Sequence, residues 1–237
     1  MSKNYLSFFV LSLTAVSAYT NPTQPSENPS ELARSEIFPP EDGIFVPLQG
    51  KIIDGRYHSP KGVFSCQAYD FDEGSYISQD VLFAHAACVS FYNSICDFKK
   101  AEILLIPGLE NKHLDKNALK GTFERFGIRI LEKVDYAEGI EVLNEEMVGD
   151  DNMFFAAISV EKMSVLRDAN GEHMASTRGY LIFQDKDKIA VLSNQIVTLP
   201  GKKHTPKNHI EKLKQDILDF RETFEFGPIP EPSATGA

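Results

Sequence analysis

The chain has no Trp, only three Cys, and a deficit of positive charge: 24 Lys and Arg stand against 34 Asp and Glu, a formal net charge of −10. The deficit argues against nucleic acid as a partner, since that binding needs clustered Lys and Arg. It also removes any general attraction to anionic membranes. Without Trp, the 17 Phe must dominate the aromatic part of the core. Also missing are a His-Glu-x-x-His zinc motif, a Gly-x-Ser-x-Gly elbow, a phosphate loop and a dinucleotide fingerprint. No cofactor is expected, no metal site and no catalytic residue can be named, although catalytic groups can meet from distant parts of a chain.

Beyond the first residues no long apolar run occurs. At the start, Lys3 and the amino terminus form a positive head. Tyr5 to Val16 is apolar, interrupted only by Ser7, Ser12 and Thr14, and Val16-Ser17-Ala18 puts small or slim residues at −3 and −1 of a cut. These are the three parts of a secretory signal peptide. A helix of about 12 residues spans roughly 18 Å, short of the roughly 30 Å hydrocarbon core. Residues 1–18 are therefore expected to be removed, giving a periplasmic or secreted protein with no stable membrane insertion. Loss of the single charge of Lys3 takes −10 to about −11.

Residues 19–48 read as a flexible leader, since "NPTQPSENPS" and "IFPPEDG" offer too little apolar surface to offset ordering entropy. Residues 49–226 read as a single α+β domain, and 227–237, "GPIPEPSATGA", as a disordered tail. An exported chain with Cys66, Cys88 and Cys96 suits one disulfide plus one thiol. Cys66 and Cys88 fall on neighbouring predicted strands and are the candidate pair; three unbridged thiols are the plainer alternative. Cys96 falls in a predicted turn.

Within the domain, "GRYHSP" and "GVFSCQAY" predict a hairpin around Ser59–Gly62, with Phe64, Cys66 and Ala68 on one face. "AACVSFYN" and "KAEILLIP" predict a second hairpin. Asp115 is a candidate N-cap, followed by an apolar face of Leu119, Phe123, Phe126 and Ile130. Gly121 and Gly127 weaken that helix, so packing on a sheet must hold it. "GIEVLNEEMV" with "MFFAAISVEK", and "TRGYLIFQ" with "KIAVLSNQIV", predict four more strands, and the Asn-Gly of "RDANGEH" signals a turn. The last helix carries Ile210, Leu213, Ile217, Phe220 and Phe224 in one stripe, with Asn208 and Glu211 in a capping-box pattern. Short connections favour antiparallel pairing. The expected fold is α+β: an antiparallel sheet of roughly six to eight strands covered by two main helices.

Tyr57–Cys66, "YHSPKGVFSC", and Ser176–Gln195, "STRGYLIFQDKDKIAVLSNQ", resemble a group of small uncharacterised exported bacterial proteins. The layout from Tyr57 to the last helix is similar to the PsbP-like α+β sandwich. That resemblance implies an accessory protein that docks on a larger complex without catalysis of its own. None of that family's metal-associated residues can be matched here.

Three clusters could carry function. "LNEEMVGDDN" gathers Glu145, Glu146, Asp150 and Asp151, carboxylates suited to a hard cation such as calcium, although a solvated strand end explains them as well. "GKKHTPKNHIEKLK" concentrates Lys202, Lys203, His204, Lys207 and His209 before the last helix. Cations there oppose the helix dipole, while free N–H groups welcome an anion. An acidic protein partner or a small anionic ligand in the cell envelope would relieve the arrangement; a flexible solvated loop is the alternative. The histidines form no metal pair, since His204 and His209 are five apart and His58, His85, His113 and His173 are isolated. Ser65, Ser90 and Ser176 read as strand residues. The favoured function is an exported, non-enzymatic binding or accessory protein. The alternatives are an exported hydrolase with a site assembled from dispersed His, Asp and Glu, and a secreted effector.

Overall fold

A computed structural model describes residues 50–69, 76–83 (backbone only), 86–93, 97–106, 108–133, 137–149, 152–163, 166–168 and 170–228. The stretches expected to be a signal peptide (1–18) and a leader (19–48), residue 49, His85, Cys96, Asp150, Asp151 and residues 229–237 of the expected tail lie outside them.

Apolar residues directed to both faces build the main sheet. Its seven strands are β4 (Tyr76–Phe83), β5 (Ala86–Tyr92), β6 (Phe98–Leu105), β7 (Glu138–Val148), β8 (Met153–Lys162), β9 (Ala175–Asp185) and β10 (Lys188–Thr198). They lie in the order β4-β5-β6-β10-β9-β8-β7, every neighbour antiparallel. Phe154, Ala156 and Ile158 feed one core, Phe155 and Ala157 the other, the two-residue period of a strand buried on both faces. This confirms an antiparallel α+β arrangement. A second sheet was not foreseen: β1 (Lys51–Ile53), β2 (Arg56–His58), β3 (Phe64–Gln67) and β11 (Glu225–Phe226), in the order β1-β2-β3-β11. The hairpin expected around Ser59–Gly62 forms within it as β2 and β3, whereas β1 and β11, of three and two residues, leave too little periodicity to read.

One face of the main sheet carries α1 (Lys116–Phe123), a π-helical segment (Glu124–Arg129) and α2 (Ile130–Lys133). Asp115 caps α1 as expected, its carboxylate accepting from the Ala118 N–H at 2.9 Å. The expected stripe drifts by one position: Leu119 and Phe123 are buried, but then Gly127 and Leu131 rather than Phe126 and Ile130. Wider winding in the π segment carries the buried stripe on by one residue. Gly127 lies tight against Phe123, where a Cβ would come within 2.6 Å of the ring.

The other face carries α3 (Ile210–Glu222) and the small sheet, joined through Phe64, Phe91, Phe220 and Phe224. Leu213, Ile217 and Phe220 are buried, each contributing roughly 1.5–3 kcal/mol. The expected capping box is absent. Pro206 starts a 3-10 turn through His209, so the Asn208 N–H donates to the Thr205 carbonyl at 3.1 Å, and α3 begins at Ile210 without a side-chain cap.

The candidate Cys66–Cys88 bridge does not form. Cys66 belongs to the core beneath α3, as do Ala87 and Val89. Cys88, between those two, points to the opposite face of β5. Burial, opposed by Arg56, pushes the Cys66 thiol up to about 12.

Candidate functional site

The eleven-residue strap between β10 and α3 holds all five residues singled out in the basic stretch. It leaves the sheet at Thr198, turns at Leu199 where the carbonyl accepts from the Lys202 N–H at 3.1 Å, and enters α3 through the 3-10 turn. Its five residues divide into two groups. Lys202, Lys203 and Lys207 are exposed, while His204 and His209 are half-buried.

The histidines are fastened to three neighbouring strands. His204 Nε2 lies 2.9 Å from Ser159 Oγ on β8, and its Nδ1 lies 2.9 Å from Thr198 Oγ1 at the end of β10. His209 Nδ1 lies 3.2 Å from Thr177 Oγ1 on β9. Ser159 and Thr177 are register partners, and with Thr198 they point to the α3 face of the sheet. Ser159 is 4% exposed and Thr177 fully buried, so the rings also satisfy polar groups under the strap.

Asp97 closes the site from the β5–β6 turn. Its carboxylate accepts from the Val197 N–H at 2.7 Å and from Asn93 Nδ2 at 3.4 Å. Burial raises its pKa, opposed by those hydrogen bonds and by Lys212 and His209. Burial, and next the His209 ring, hold His204 below its ordinary 6.5, with Glu161 opposing. Burial, and next Lys212, hold His209 below the same value, with Asp97 opposing. Both rings are thus biased toward the neutral form, and the standing positive charge of the strap is that of its lysines. Exposed Lys212, one turn into α3, extends it. Among the described residues, Lys202, Lys203, Lys207 and Lys212 form no ion pair.

Sequence reasoning found the histidines and lysines but missed Ser159, Thr177, Thr198 and Asp97. Ser159 is 45 residues from His204, and Thr177 is 32 from His209. Only the sheet register unites them. The other candidates disperse. His58 and His113 are exposed, and His173 sits on the Met163 carbonyl at 2.9 Å. Ser65, Ser90 and Ser176 are strand residues, as expected.

Glu145 and Glu146, half of the acidic stretch weighed for a hard cation, cannot share a calcium ion. As neighbours on β7 they point to opposite faces, Glu145 pairing with Lys120 of α1 and Glu146 with Lys214 of α3 at 3.1 Å. Among the described residues no group of three His, Cys, Asp or Glu is placed to hold a metal ion. No helix among them is long and apolar enough to cross a membrane. An open cleft of about 510 Å³ lies at the opposite end of the sheet, between Lys112, Asn152 and Lys186. Its Gln184 amide already donates to the Leu109, Lys112 and Lys186 carbonyls.

No protein family and no curated protein matches the chain. Among solved structures, it is similar to the Saccharomyces cerevisiae Ran-binding protein Mog1p, at 13% identity and TM-score 0.43, over 76% of this chain and 96% of that one. A point mutant of the protein Mog1 aligns at 12% identity and TM-score 0.47, with the same coverage. The expected family of exported bacterial proteins does not appear among these matches. Function must be argued from the site itself.

Proposed function

We propose that this chain is an exported, non-enzymatic binding protein whose strap docks on an acidic surface of a protein partner. The observation that carries the reading is the set of four exposed lysines, Lys202, Lys203, Lys207 and Lys212, without ion pairs among the described residues, on a molecule of net charge −10. Like charges gathered on one short strap repel each other, and an acidic partner relieves that repulsion while steering association. The anchored histidines support a preformed surface, which lowers the ordering cost of binding. The resemblance of the sequence to the PsbP-like layout implies an accessory role, and the signal-peptide pattern supports export to the periplasm or the medium.

The test is charge reversal in the native host. Wild-type protein extracted at low salt should elute as a complex that dissociates as salt rises. The variant Lys202→Glu, Lys203→Glu, Lys207→Glu should elute as the isolated chain. Identical elution of the two would overturn the docking surface. Export is tested separately by the mature amino terminus, expected at Tyr19; retention of Met1 would contradict it.

A further inference from the structure

We propose that docking at the strap is proton-linked: an acidic protein segment drives protons onto His204 and His209 as it binds, so its affinity rises as pH falls. This rests on the strap being the docking surface. The two rings lie within the basic loop itself, His204 bonded to two hydroxyls and His209 to one, neither to a carboxylate.

Hydroxyl partners permit a change of protonation without loss of the anchor. A neutral ring needs one hydroxyl to donate to it; a charged ring donates from both nitrogens, and Ser and Thr accept as readily as they donate. Protonation therefore adds charge to the strap and leaves its attachment in place. The groups facing the rings set the balance. Asp97 from the β5–β6 turn favours a charged His209, and Glu161 of β8 favours a charged His204. Lys212 of α3 disfavours a charged His209, the His209 ring disfavours a charged His204, and burial disfavours both. Lys202, Lys203 and Lys207 add positive charge on the same loop. Carboxylates of a docked partner oppose these cations, shifting both rings toward the charged form. Reciprocity then requires that protonation tighten docking.

The test is calorimetric titration of the full chain with an octa-aspartate peptide at low salt, at about pH 7.5 and about pH 5.5, where aspartate stays ionised. Affinity should rise by about fivefold at the lower pH, the lower end of the range for coupled sites. Binding enthalpies in two buffers of different ionisation heat should show net proton uptake. In His204→Gln, His209→Gln most of the pH effect should disappear. Equal tightening in that variant, or none in the wild type, overturns the linkage. Lysine-dependent binding without a pH effect sinks the linkage alone; no binding at either pH sinks the docking surface with it. Should the double variant fail to fold, NMR titration of the histidine rings in the wild type decides. Octa-aspartate should move both midpoints upward, and unmoved midpoints contradict the proposal.

Discussion

His204 matches both ring nitrogens to hydroxyls, of which Ser159 is nearly buried and Thr198 half-buried. His204→Leu should leave Ser159 and Thr198 without that partner and cost about 1–3 kcal/mol, read from urea unfolding at neutral pH. An unchanged midpoint would contradict the anchoring. The pH dependence has a definite sign. A histidine held below 6.5 in the folded state makes folding favour the neutral ring. That stability is fully present above 6.5 and is lost as pH falls through the folded values. Asp97 acts in the opposite sense: its raised pKa means the buried carboxylate costs stability at neutral pH, a cost relieved on acidification through the folded value. Urea midpoints measured as pH falls from 7.5 should therefore drop more steeply in the wild type than in His204→Gln, His209→Gln. Parallel curves would refute the shifts. At Cys66, full burial and a pKa of about 12 predict no reaction with a thiol reagent at mildly alkaline pH until the protein is unfolded. Rapid native labelling at this position would contradict its placement in the core.

Elements show where sequence periodicity succeeds and where it fails. Long strands were legible because they are mostly apolar over seven to eleven residues between turn signals, as in β5, β8, β9 and β10. In the small sheet the β2–β3 hairpin was legible from its turn residues Ser59–Gly62, while β1 and β11 are too short to carry a pattern. The first helix was legible up to Phe123 and misread beyond it, because a constant 3.6-residue period does not anticipate the π segment. Glycines divide in the same way. Gly121 has open space where a Cβ would sit, so Gly121→Ala should stabilise by up to about 1 kcal/mol. Gly179, on β9 beneath α3, would place a Cβ 2.9 Å from Ile217 Cδ1 and 3.2 Å from Leu213 Cβ. Gly179→Ala should cost about 1–3 kcal/mol through overpacking. Denaturant unfolding of the two variants should move in opposite directions, and movement in the same direction would contradict the placement of α3. On β7, the divergence of Glu145 and Glu146 predicts that added calcium leaves the thermal midpoint unchanged. A calcium-dependent rise would restore the cation site.

At the scale of the whole molecule, three layers stack: α1 to α2, the seven-stranded sheet, and α3 with the small sheet. The strap is the connection that carries the chain from β10 into α3. Composition made the acidic background legible, and a short stretch of lysines made the exception visible. How its histidines would turn was not legible, because that depends on which strands lie side by side. Net charge of −10 with four exposed lysines on and beside one strap sets a local basic patch against an acidic background. Charge of that kind acts on association and its salt dependence rather than on the fold. The most direct measurement is photocrosslinking in the native host from a photoreactive residue at position 203, with position 61 as the control. The account predicts one discrete protein adduct from position 203, lost when Lys202 and Lys207 are changed to Glu, and none of the same mass from position 61. The same adduct from both positions, or none from position 203, would contradict the strap as the docking surface.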